Sequence, residues 1–137
     1  MKDIYVAVNG SDSGEGTIDS PFRTLEKARD LASKFFSEEN GASGANIFLR
    51  AGTYELESTF EILKEHTGSA KCLIHYRAYN KEEVIISGGK TLDGSKFRKV
   101  LDEEIIARLP EEARHFVLCY DLKEDGLYDY GVKKNRG

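Results

Sequence analysis

Residues 4–32 read IYVAVNGSDSGEGTIDSPFRTLEKARDLA, and the change of pattern inside that stretch decides the architecture. Ile4-Tyr5-Val6-Ala7-Val8 is β-branched and aromatic and ends on Asn9-Gly10, which predicts a strand stopped by a turn. Residues 9–20 hold almost only turn formers and predict a loop. Ser20-Pro21 then predicts a helix start, because serine caps the first turn and proline at the first helical position gives up no hydrogen bond. Phe22, Leu25, Ala28, Ala32, Phe35 and Phe36 follow at helical spacing as one apolar stripe, with Glu26, Lys27, Arg29, Asp30 and Lys34 opposite. The helix is expected to end near Ser37, before a loop over 38–44.

Beyond this stretch the period shortens. Asn46-Ile47-Phe48-Leu49-Arg50 predicts a short strand, closed by Ala51-Gly52-Thr53-Tyr54. Further strands are expected over 59–63 (TFEIL), 72–79 (CLIHYRAY) and 83–87 (EVIIS), the last ended by Gly88-Gly89. Residues 95–100 carry a weaker strand signal. Ile105, Ile106 and Leu109 lie at helical spacing behind Asp102, Glu103 and Glu104, and acidic residues suit a helix N-terminus. Residues 115–122 (HFVLCYDL) predict a strand, and 126–137 a polar loop. Several short strands between variable turns imply a mainly β fold, and the apolar runs at 47–49 and 84–86 suggest strands buried deeply or on both faces. A solenoid with the amphipathic helix over one open end fits, although no strict repeat recurs.

The 137 residues suit one domain with a real core. A net charge of −4 argues against nucleic acid as a partner, and the basic tail Lys133, Lys134 and Arg136 is read as a solvated chain end. No apolar run has the length of a membrane span. The first residues lack the pattern of a signal peptide, so a native Met1 implies the cytoplasm, whereas an added one leaves the compartment open. Cys72 and Cys119 match no metal spacing and are expected as buried reduced thiols.

Three stretches together resemble one family. YVAVNGSDSGEGTIDSPFRTLEKARDLA (5–32) looks like the opening of many right-handed parallel β-helix proteins. NIFLRAGTYEL (46–56) is similar to their first coil, and CLIHYRAYNKEEVIISGGKTLDG (72–94) resembles a further stretch of theirs. Residues 96–137 match more loosely. The resemblance implies a mainly β fold: the start of a right-handed parallel β-helix with an N-terminal capping helix. Gly52 and Gly88-Gly89 would sit at its sharp corners. It implies a longer parent that processes polysaccharide or glycan as a lyase or glycoside hydrolase, with the active site in middle coils that residues 1–137 do not reach. The segment is then expected to cap the solenoid without being catalytic alone. Unpaired strand edges would favour self-association. Alternatives are a stand-alone carbohydrate-binding module and the structural β-helix of an adhesin or tail fibre.

Paired carboxylates are the signature to seek for glycoside cleavage. Glu82-Glu83, Glu103-Glu104 and Glu111-Glu112 qualify only by adjacency, and a solvated surface accounts for them. Asp12, Glu15 and Asp19 crowd the first loop without the spacing of a calcium loop, so a structural turn is expected there. Calcium enters only as a cofactor of the parent, should that be a lyase; none is expected in this segment. Asn9-Gly10-Ser11 is formally a glycosylation sequon, relevant only after secretion through a glycosylating pathway. His66, His75 and His115 are too dispersed for a metal cluster, the last two in predicted strands. No residue is assigned a catalytic role. For ligand contact the candidates are Tyr128, Asp129 and Tyr130, because tyrosine faces stack on sugar rings and a carboxylate accepts from hydroxyls.

Overall fold

The computed structural model describes residues 1–38, 44–69 and 72–128, which fall into two compact units, Met1–Lys90 and Thr91–Gly137. In the first unit the chain forms β1 (Lys2–Val6), α1 (Leu25–Glu38), β2 (Ala45–Leu49), β3 (Gly52–Glu55), β4 (Ile74–Ala78) and β5 (Val84–Ser87). All its strand pairs are parallel. One ladder runs β1-β2-β4, with Ile4 opposite Ile47 and Ile47 opposite Tyr76; a second joins β3 to β5, with Tyr54 opposite Ile86. Neither sheet is closed.

Side chains alternate across a strand, so every second residue of β1 and β2 shares the inner face. Ile4, Val6, Ala45, Ile47 and Leu49 lie there, buried under Phe22, Leu25, Ala28 and Ala32, with Tyr54 of β3 completing the core. Leu31, Phe35, Phe60, Ile74 and Tyr76 border it, half-buried. The Tyr54 hydroxyl stays inside by donating to the carbonyls of Val6 (3.0 Å) and Arg50 (2.8 Å). On the outer face the ladder continues as rings: Tyr5 stacks on Phe48 at 5.4 Å, Tyr79 meets both edge-on, and the Arg77 guanidinium lies 5.8 Å from the Phe48 ring.

The two edges of the longer ladder differ. The loop after β1 folds back along its free edge: Tyr5 N–H donates to Gly16, Phe22 N–H to Tyr5, and Ala7 N–H to Phe22, all within 2.9 Å. That edge is sealed. Among the described residues no strand pairs with the far edge of β4 or of β5.

Asp12 fastens the sealing loop to the helix. One carboxylate oxygen accepts the N–H groups of Arg23 and Thr24, and the other the Thr24 hydroxyl, each at 2.9 Å. Burial by itself would raise this carboxyl, but the hydrogen bonds from Thr24 and Arg23 outweigh it and hold Asp12 below its ordinary value. Asp12 thus has the structural role expected of this loop, while Glu15 and Asp19 are exposed. Gly10 is required here because a Cβ would lie 2.3 Å from the Phe22 carbonyl oxygen.

The second unit contains β6 (Arg98–Lys99), α2 (Glu103–Ala107) and β7 (Leu118–Cys119), with β6 and β7 antiparallel. None of its described residues is buried. It is held by polar clips instead. Asp102 caps α2 by accepting from Glu104 and Ile105 N–H, and Asp93 and Asp121 cap short 3₁₀ turns in the same way. Asp125 binds both the Lys96 ammonium and the Tyr120 hydroxyl, while Phe97 packs edge-on against Tyr120.

Several expectations need correction. The helix does not start at Ser20-Pro21: the backbone of Phe22 is committed to β1, so α1 begins at Leu25 with the Thr24 hydroxyl accepting from Lys27 N–H. Residues 59–63 form no strand; Phe60 packs on the core and the Glu61 carbonyl accepts from Arg29. The closing stretch Ala51-Gly52-Thr53-Tyr54 is mostly strand: β3 runs Gly52–Glu55, so the chain restarts one residue before Thr53-Tyr54. The stretch 115–122 shrinks to the two residues of β7, and 95–100 to the two of β6. The run 84–86 is not deeply buried, since Ile85 and Ile86 are about half exposed. Of the predicted corner glycines, Gly52 has φ +140° with Val8 Cγ1 3.0 Å from a would-be Cβ, whereas Gly88 and Gly89 need no glycine conformation. Cys72 and Cys119 are free but half-buried, and Cys72 lies outside the strands.

Candidate functional site

The first unit has an open, polar cleft of 420 Å³ lined by Ala7, Asn9, Ile18, Asp19, Pro21, Arg50, Ala51 and Glu82. Three segments meet in it: the sealing loop, the corner between β2 and β3, and the turn between β4 and β5. The first brings Asn9 and Asp19 because it is pinned along β1. The corner brings Arg50, whose N–H donates to Val6 at 2.8 Å.

Glu82 arrives through an uncommon turn. Asn80 and Lys81 have φ of 44° and 63°, consecutive left-handed conformations that L-residues other than glycine and asparagine avoid. This turn points the Glu82 carboxylate back at the corner, where both its oxygens accept from Arg50 Nε at 3.0 Å and one accepts from Ala51 N–H at 2.6 Å. The Arg50 hydrogen bond, then that of Ala51, holds the Glu82 carboxyl below its ordinary range, and the same bond raises Arg50. The pair is charged at neutral pH. The guanidinium also lies 5.1 Å from the Tyr79 ring. Ala7, Ile18 and Pro21 supply the apolar part of the lining. The volume lies within the roughly 300–1,000 Å³ that small-molecule sites occupy, with a lining more polar than is usual for them.

A second, more apolar groove of 360 Å³ is lined by Ile62, His66, Thr67, Gly68, Ser69, Leu73, Ile74 and Tyr76. The Tyr76 hydroxyl is buried without a hydrogen-bond partner, and burial raises its pKa. His66 joins the groove to α1: its Nδ1 accepts from Leu63 N–H at 3.1 Å and its Nε2 lies 3.8 Å from Asp30.

The residues singled out from sequence fall elsewhere. Tyr128 is 72% exposed in the second unit, and Asp129 and Tyr130 lie outside the described residues, as does the basic tail. Of the carboxylate pairs, Glu82 is half-buried in an ion pair, contrary to the surface reading, while Glu83 is exposed. Glu103 and Glu104 lie in α2, and Glu111 and Glu112 in a 3₁₀ turn, all exposed. His75 is half-buried in β4, but His115 is in an exposed turn rather than a strand. Among the described residues no three His, Cys, Asp or Glu side chains group to hold a metal. Sequence reasoning missed the cleft because Arg50 and Glu82 are 32 residues apart and meet only through the two parallel ladders. The signal that was present is the charge pair at the ends of two strand-like runs, one rung apart.

No protein-family model matches the chain. It is 42% identical over 86 residues, 63% of its length, to pectate lyase PEL9 of Emericella nidulans, and 39% identical over 85 residues to an uncharacterized protein, YwoF, of Bacillus subtilis. The matched segments span 18% and 15% of those relatives' own lengths. Among solved structures it is similar to a glycoside hydrolase, with TM-score 0.65 and 28% identity over 74% of this chain and 17% of the other. It is also similar to XylC in complex with xylose, with TM-score 0.52 and 28% identity over 73% of this chain and 14% of the other. The sequence and structural likenesses therefore agree on carbohydrate-active proteins several times longer than the matched segment.

Proposed function

We propose that residues 1–137 form the capping segment and first coils of a right-handed parallel β-helix in a polysaccharide lyase or glycoside hydrolase. The observation that carries this reading is the asymmetry of the ladders. Two parallel stacks advance together, one edge is sealed by a loop pinned through Tyr5, Ala7 and Phe22, and the opposite edges of β4 and β5 pair with no described strand. A terminal repeat in a stacked fold needs one closed face and one face that accepts the next repeat. The amphipathic α1 supplies apolar cover for β1 and β2, as a cap does.

The pectate lyase and glycoside hydrolase relatives support a polysaccharide-processing parent. On this reading the segment organises the solenoid and is inactive alone, and catalysis, with any calcium a lyase parent uses, belongs to other coils. The test is the intact mass of the native protein together with cleavage of soluble polysaccharides by that protein and by residues 1–137. The reading expects a native protein with further strand-and-turn coils that cleaves polysaccharide, while the segment leaves the same polymer intact. A native protein without polysaccharide cleavage sinks it.

A further inference from the structure

We infer that the cleft between the sealing loop and the β2–β3 corner is a sugar subsite that takes a neutral pyranose disaccharide rather than an acidic one. The inference rests on the carbohydrate-active reading above and adds to it a contact site outside any catalytic coil. Vicinal sugar hydroxyls each donate and accept, so they suit planar groups with two polar atoms. The cleft presents four: the Asn9 amide, the Asp19 carboxylate, the Arg50 guanidinium and the Glu82 carboxylate. Glu82 and Arg50 are fixed in advance by their mutual bonds through Nε, and both line the cleft. Preorganised donors cost little to order on binding. Ile18, which is 42% exposed, and Pro21 offer an apolar wall to the C–H face of a ring.

Charge sets the class. Arg50 and Glu82 cancel, so Asp19 leaves the lining with one net negative charge. A carboxylated sugar entering beside Asp19 meets like charge, whereas a neutral sugar gains hydrogen bonds to the same oxygens. Phe48 does not compete for this role, because its ring already stacks on Tyr5 and carries the Arg77 guanidinium.

The experiment is an amide-resolved NMR titration of residues 1–137 with xylobiose and, separately, with digalacturonate. Saturable shifts at Asn9, Asp19, Ala51 and Glu82 with xylobiose are expected, with digalacturonate at least about fivefold weaker at the same amides. Asp19→Ala, at an exposed position, should weaken xylobiose by a similar factor while the resonances of β1 and β2 stay in place. Xylobiose leaving those amides unmoved, equal or tighter digalacturonate binding, or an unaffected Asp19→Ala variant overturns the inference. Polysaccharide cleavage by the native protein in the face of such a result would leave the broader functional reading standing.

Discussion

The two units of this chain are stabilised by different physics. Met1–Lys90 surrounds Ile4, Val6 and Ile47, each under 2% exposed, whereas no described residue after Thr91 is buried. In the first unit the strands are read from alternation and burial, and polar groups serve to fasten loops. In the second, aspartate caps at Asp93, Asp102 and Asp121 and the Asp125 clip carry the local order, with Leu101 and Phe116 more than 80% exposed. Exposed ion pairs contribute little each and a helix cap about 1 kcal/mol, so neither substitutes for a core. The comparison teaches that regular hydrogen bonding alone does not mark a cooperative core.

The most direct way to break the contrast is to remove apolar atoms from each unit. Ile47→Ala should cost about 2–5 kcal/mol in urea unfolding, because it empties a fully buried site, while Phe116→Ala should stay within about 0.5 kcal/mol. Equal losses in both variants would show a hidden core in the second unit. The next effect concerns the fastening of the loop. Asp12→Ala should destabilise the first unit by about 1–2 kcal/mol, as loss of a helix-end acceptor does.

The same carboxylate sets an acid limb. Asp12 and Glu82 are depressed below their ordinary values of 3.8 and 4.5, so the unfolded chain binds more protons than the folded one as pH falls into that range. Their stabilisation is full at neutral pH and disappears as pH drops through the folded values. Thermal melting from pH 6 downward should fall below about pH 4.5, and less steeply in Asp12→Asn than in the parent chain.

Two smaller effects have the opposite sign. Tyr76→Phe should raise stability by roughly 1 kcal/mol, because it removes a buried hydroxyl that lacks a partner. A loss on calorimetric melting would mean that the hydroxyl is satisfied in solution. Lys81→Gly should gain about 0.5–1 kcal/mol by relieving a left-handed lysine, without changing amide exchange in the second unit.

Local chemistry made much of the first unit legible. The strands at β1, β2, β4 and β5, the loop after β1 and the body of α1 all follow from alternation, turn residues and helical spacing within a dozen or so neighbours. Errors arose where a distant partner decided the outcome. Ser20-Pro21 carries a good helix-start signal, yet Phe22 is drawn into β1 and moves the start to Leu25. Gly52-Thr53-Tyr54-Glu55 is too short to show a period and becomes a strand only because β5 pairs with it. HFVLCYDL has strand-like residues but finds only the two-residue partner β6, so most of it stays irregular. The cleft was illegible for the same reason: its lining comes from residues 7–21, 50–51 and 82, and only the folded ladders bring them together.

The sealed edge of β1 also limits how copies of this segment can aggregate. A fibre needs every copy to offer two complementary ends, one to give and one to receive. Here the backbone groups of Tyr5 and Ala7 along one end are already satisfied by Gly16 and Phe22. Two copies that meet through β4 would each bury the open edge of the longer ladder, and a third would find the β1 edge of that ladder already occupied. Along that ladder strand addition then stops at a pair, and the loop acts as its chain terminator.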